Sequence, residues 1–151
     1  MSKYLVICFI VFLNIVTLAQ KEKHVWKPLV INENQKVWYD QTQLDTINTA
    51  KFEIWLLELH RPHLELEGVA KNIMRTKSLF LISLEEYRYS LKEVVYYNPA
   101  NNQVKSFQYG IDDYDEDIKY AFPITQNSIQ QKLIDELLRI RKLRATYNQE
   151  N

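Results

Sequence analysis

The chain has 151 residues, 46% of them apolar and 13% aromatic, with 19 basic and 19 acidic side chains, 2 glycines, 4 prolines and 1 cysteine. That is one domain's length with an ordinary globular composition, which excludes a multidomain machine, a disordered tail and a collagen-like fibre. Zero formal net charge removes the whole-chain argument for nucleic acid, the lone cysteine excludes a disulfide scaffold or cysteine-rich zinc module, and Gly68 and Gly110 stand too far apart for a phosphate-cradling loop.

The first segment reads as an address. Lys3 supplies a positive charge, Tyr4 to Leu13 runs without a polar break, and Ile15 to Ala19 leads into Gln20-Lys21-Glu22-Lys23. A charged start, an apolar stretch of roughly 7–15 residues and a small exit residue make a secretory signal peptide. Thr17 and Ala19 take the recognition positions, so cleavage is expected before Gln20. A retained anchor fits less well, because Tyr4 to Leu18 is 15 residues where a spanning helix needs about 20. Cys8 lies inside the apolar stretch and not at its end, where a lipoprotein carries its cysteine. The expected product is an exported single domain, residues 20–151, cysteine-free and without a membrane anchor. Such a chain is long enough to hold together by its core.

Trp26 to Val30, interrupted by Pro28, reads as an edge strand or lead-in. Lys36-Val37-Trp38-Tyr39-Asp40 is a short strand closed by the polar run Gln41-Thr42-Gln43. Phe52 to Leu59 favours strand through its aromatic and branched content. Arg61-Pro62 and Gly68 are expected to punctuate an excursion that resumes at Ile73. Leu79 to Leu84, apolar on both faces, reads as a central covered strand. Tyr87 to Tyr97 alternates Tyr87, Tyr89, Leu91 and Val95 against Arg88, Ser90 and Lys92, the pattern of a half-exposed strand. Asn98-Pro99-Ala100-Asn101-Asn102 supplies the turn chemistry for a hairpin whose partner strand is Val104 to Tyr109.

The C-terminus changes period. Thr125, Asn127 and Ser128 are candidate caps. Ile129, Leu133, Leu137 and Ile140, with Ile134 and Leu138 beside them, form an apolar stripe on a helix of about four turns. Five or six strands followed by one helix predict an α+β fold: an antiparallel sheet of about six strands with the C-terminal helix packed on one face.

This order resembles the bacterial surface-adhesin protein E family. The resemblance is carried by Trp26, Val37-Trp38-Tyr39-Asp40, Trp55, Leu79 to Leu84, Tyr87-Arg88-Tyr89, Tyr96-Tyr97 and Pro123-Ile124-Thr125. It implies a six-stranded antiparallel sheet with the final helix on its concave side, in an exported, non-enzymatic protein. The chain departs from the family in two ways. The places comparable to a helix-to-sheet disulfide are apolar, around Leu84 and Leu137 or Leu138, and no cysteine stands where a lipid anchor needs one.

Several clusters carry chemistry. His60 and His63 flank Arg61-Pro62 near Glu58, Glu65 and Glu67, but zinc takes three or four protein ligands and no third histidine stands near. A solvated loop is the better reading. The Asp112 to Asp117 run suits calcium in charge yet lacks the glycine and terminal glutamate of a calcium loop, which favours plain solubility. Arg139, Arg141, Lys142 and Arg144 read as a solvated helix end that complements the helix dipole. The tyrosines are the other candidate: Tyr87, Tyr89, Tyr96 and Tyr97 are expected to offer a surface to a partner, a large apolar body with a polar tip. No serine sits in a nucleophile motif and no cofactor is implied.

The expected function is therefore an exported, non-enzymatic, surface-adhesin-like protein that presents a tyrosine-rich sheet face to a protein or to envelope or host macromolecules, not to nucleic acid. The alternative is a periplasmic small-ligand carrier or inhibitor using the concavity between sheet and helix.

Overall fold

A computed structural model describes residues 23–46, 49–68 and 70–150, so the expected signal peptide lies outside the described residues. Seven antiparallel strands form one sheet: β1 (Trp26–Ile31), β2 (Lys36–Asp40), β3 (Lys51–Leu66), β4 (Ala70–Ser83), β5 (Arg88–Tyr97), β6 (Gln103–Gln108) and the two-residue β7 (Phe122–Pro123). Strands β1 to β6 lie side by side in chain order, and β7 pairs with the start of β5. Between β6 and β7 a short helix, α1 (Glu116–Lys119), sits in the connecting segment, and α2 (Ile129–Glu150) closes the chain. The α+β architecture is as expected, with α2 against one face.

Alternation along the strands decides which side chains meet the helix. Val37 and Tyr39 of β2, Phe52, Ile54 and Leu56 of β3, and Ile82 of β4 form the main core with Ile124, Leu133, Ile134 and Leu137. Leu29, Val30, Phe80, Leu84, Tyr89, Ile129 and Ile140 pack around it. Leu84 and Leu137 both belong to this apolar layer. Leu138, by contrast, is 48% exposed. The helix starts where Ser128 Oγ accepts the backbone N–H of Gln131 at 3.1 Å and Gln131 Oε1 accepts that of Asn127 at 2.8 Å. Of the three candidate caps, Ser128 is the one used. The helix runs 22 residues, longer than the four turns expected from the apolar stripe.

Two other expectations are corrected. The chain does not leave the sheet at Arg61-Pro62: β3 continues to Leu66 and pairs with β4 out to Ala70, opening a ribbon beyond the end of β2. Pro62 is tolerated because β2 stops pairing at Leu59, and the register with β4 is broken between Leu59 and Leu64. A missing N–H interrupts no ladder there. Tyr87 is not a strand residue but ends the β4–β5 turn with φ 54°, and the period-two pattern of β5 slips at a bulge between its Glu93 and Leu91 pairings. Pro28 in β1 does sit on an edge, with a bulge beside it.

Candidate functional site

The face away from α2 carries two coverings. One is the segment 109–121, whose Ile111 and Tyr120 bury Leu81. Arg88 ties it down, its Nε and Nη2 donating to the carbonyls of Tyr120 and Ala121, each at 2.7 Å. Buried Ser90 donates to the Lys119 carbonyl and accepts the Ala121 N–H. The acidic run is part of this tie: Asp112 pairs with Lys92 at 2.8 Å and Glu116 with Lys51 at 2.7 Å. These bonds hold the Asp112 and Glu116 carboxyls below their ordinary values.

The second covering comes from the residues just before β1. Asp40, at the end of β2, is 1% exposed. Its Oδ1 accepts the backbone N–H groups of Val25 and Thr42, each at 3.0 Å, and its Oδ2 accepts the Thr42 hydroxyl at 2.8 Å and His24 Nδ1 at 2.6 Å. Burial by itself pushes the Asp40 carboxyl up, but these hydrogen bonds outweigh it and hold the group below the ordinary carboxylate value. On the other side of the ring, Lys77 Nζ lies 2.8 Å from His24 Nε2. An ammonium has only donors, so Nε2 accepts and Nδ1 carries the proton given to Asp40. Lys77 also rests over the Trp55 ring, 4.0 Å from its centroid, and the imidazole stacks against Trp26 with centroids 4.9 Å apart.

His24 and Lys77, held by buried Asp40 behind them, line a cleft of about 450 Å³ together with Trp26, Leu57, Arg75, Tyr97 and Asn101. That volume lies within the range of small-molecule sites. Among the described residues no carboxylate lines it. Arg75 Nε is, among the described residues, the one buried side-chain nitrogen or oxygen without a hydrogen-bond partner.

The four expected tyrosines do not gather on one face. Tyr97 lines the cleft. Tyr89 turns to the helix side, between Phe80 and Phe122 at centroid distances of 5.7 and 5.5 Å. Tyr96 points opposite to Tyr97 and packs on Phe107. Tyr87 is 42% exposed in its turn. The space between sheet and helix holds a cavity of about 150 Å³ near Ile129, smaller than the cleft on the other face. His60 gives or takes one bond at Nε2 with Thr76 Oγ1, 2.7 Å away, and burial pushes its imidazole below the ordinary value against the pull of Glu58. Among the described residues no group of three His, Cys, Asp or Glu side chains is placed to hold a metal, and no helix is long and apolar enough to cross a membrane.

Sequence reasoning passed over His24, Arg75 and Lys77. Tyr97 stands among the candidate tyrosines, and Trp26, Asp40, Trp55 and Tyr97 stand among the residues that carry the family resemblance. No family model, curated protein or solved structure matches the chain.

Proposed function

We propose that the chain is an exported, non-enzymatic binding protein of protein E-like build that captures a small ligand in the cleft on the face away from α2. The observation that supports this is a cleft of about 450 Å³ whose polar wall is fixed in advance by buried Asp40. A wall that needs no ordering on binding spares the ligand that entropic cost. This is the carrier reading of the sequence moved to the other face of the sheet. The test is equilibrium dialysis of the purified protein against a small-molecule extract of the source cells, read by mass spectrometry, beside Trp26→Ala. Retention of a compound by the wild type and its loss in the variant supports the reading. Equal retention by both, or none by either, rejects it.

The partner-binding reading has a separate support. Tyr109, Tyr114, Ile118 and Phe122 are 46%, 54%, 60% and 52% exposed and border an apolar hollow of about 270 Å³. An exposed aromatic cluster of this kind is the surface a macromolecular partner covers. Replacing Tyr109, Tyr114 and Ile118 together by Ser is expected to abolish partner capture while leaving the dialysis result unchanged.

A further inference from the structure

We infer that the apolar hollow beside β5 takes a small quaternary ammonium ion, a cation with an apolar shell and no N–H to donate. The inference does not rest on the cleft reading. It gives the exposed aromatic surface of the partner-binding reading a ligand chemistry of its own.

The cage comes from three anchored rings. Tyr109, Tyr114 and Phe122 line the hollow of about 270 Å³, and each is fixed through its backbone. The Tyr109 N–H donates to the Lys92 carbonyl at 2.9 Å and the Tyr114 N–H to the Ile111 carbonyl at 3.1 Å. Phe122 sits in β7 opposite Tyr89, with ring centroids 5.5 Å apart. Leu91, Ile111 and Ile118 complete the apolar wall. Aromatic rings attract a cation through the negative potential of their faces, and quaternary ammonium groups suit such cages because they shed water readily.

The lack of donors in the ligand follows from the polar groups of the same wall. Ser90 Oγ is used twice, donating to the Lys119 carbonyl at 2.7 Å and accepting the Ala121 N–H at 2.8 Å. The Tyr120 and Ala121 carbonyls accept from Arg88. A primary ammonium entering here gives up hydrogen bonds to water and finds Ser90 and the neighbouring carbonyls already engaged. A quaternary one has no such bonds to lose.

The sign of the charge follows from the rim. Asp113 and Asp115 flank Tyr114 and are exposed, and neither enters an ion pair among the described residues. Asp115 stands at the start of α1 without capping it. The nearby cations are engaged: Lys119 lies 3.5 Å from Glu116, Lys92 pairs with Glu53 and Asp112, and Arg88 is turned to its two carbonyls. Two carboxylates without a basic partner attract a cation and repel a phosphate. The ion is therefore a free small molecule, not the headgroup of a phosphocholine lipid.

The experiment titrates the purified protein with choline chloride, its uncharged carbon isostere neohexanol, ethanolamine and phosphocholine, followed by two-dimensional NMR of backbone N–H and methyl signals. Choline is expected to shift the signals of Tyr109, Ile111 and Ile118 and to bind at least about tenfold more tightly than each of the other three. Tyr114→Leu keeps the hollow apolar and alters a side chain that is mostly exposed, so it is expected to fold as the wild type does while binding choline about tenfold more weakly. Asp113→Asn combined with Asp115→Asn is expected to weaken choline binding at low salt and to weaken it less at high salt. Neohexanol bound as tightly as choline overturns the cation and leaves an apolar site. Ethanolamine bound as tightly overturns the quaternary requirement, and phosphocholine bound as tightly overturns the free ion. No probe moving any signal of the hollow overturns the whole inference, whereas the partner-binding reading falls only if the triple Ser variant captures the partner as well as the wild type does.

Discussion

At the scale of single residues, Asp40 carries the most consequence for the least surface. It is 1% exposed and holds His24, Val25 and Thr42 in place, so it fixes both the entry of the chain into the sheet and the wall of the cleft. Asp40→Asn keeps the shape but turns one acceptor into a donor facing the His24 and Thr42 side. A charged hydrogen bond of this kind contributes roughly 1.5–3 kcal/mol, and a loss of that size is expected in urea unfolding at neutral pH. The pH dependence has a definite sign. The folded carboxyl lies below its ordinary 3.8, so its stabilisation is fully present above that value and is lost as pH falls through the lower, folded one. The variant is expected to show a flatter acid limb. Parallel limbs in wild type and variant would remove Asp40 as the cause. Tyr87 poses the opposite case: an exposed aromatic residue in left-handed backbone at φ 54°. Asparagine adopts that conformation more readily, so Tyr87→Asn is expected to raise stability by about 1 kcal/mol in thermal unfolding.

At the scale of elements, local pattern located most strands and the final helix because each has one buried face. Periodicity sees that directly. The structure separates residues that the apolar stripe of α2 groups together: Leu133 is 0% exposed and Leu138 48%. Leu133→Ala is expected to cost roughly 2–5 kcal/mol by leaving a cavity against Ile54 and Ile82, whereas Leu138→Ala should fall within about 0.5 kcal/mol of wild type. Equal losses would mean that the helix sits rotated from the register described. What local pattern did not show depends on neighbours. Pro62 looked like a break because a proline interrupts a paired strand, and only the end of β2 at Leu59 shows that no pair was there to interrupt. The abundance of tyrosine along this segment suggests a tyrosine-rich sheet face, but Tyr96 and Tyr97 are consecutive on β5 and so face opposite ways. The acidic run is solvated, with Asp112 and Glu116 each 62% exposed, and what spacing could not show is that Lys92 and Lys51 from distant strands reach them. The cleft was hidden for the same reason: His24, Asp40 and Lys77 come from three separate parts of the chain, and no spacing rule joins them.

At the scale of the whole molecule, the cleft constrains where a processed chain could begin and still keep the site. The proposed cut before Gln20 leaves His24 only a few residues from the new terminus. The strand that follows is an edge, paired on one side to β2. Its entry is secured by the Val25 N–H to Asp40, the Gln41 N–H to the Val25 carbonyl, and His24 itself. A chain that starts at Gln20 therefore keeps every one of these bonds, and one that starts at Trp26 keeps none of them. Removal of residues 1–19 is expected to leave unfolding and ligand retention in the dialysis experiment unchanged. Removal of residues 1–25 exposes Asp40 and strips the imidazole from between the carboxylate and Lys77, so it is expected to lower stability by roughly 2–4 kcal/mol and to abolish ligand retention in the cleft. N-terminal sequencing of the protein recovered from its source cells completes the argument. A terminus at Gln20 agrees with export and with an intact cleft, whereas a terminus beyond His24 would mean that the processed protein works without the site, and the binding proposal would fall with it.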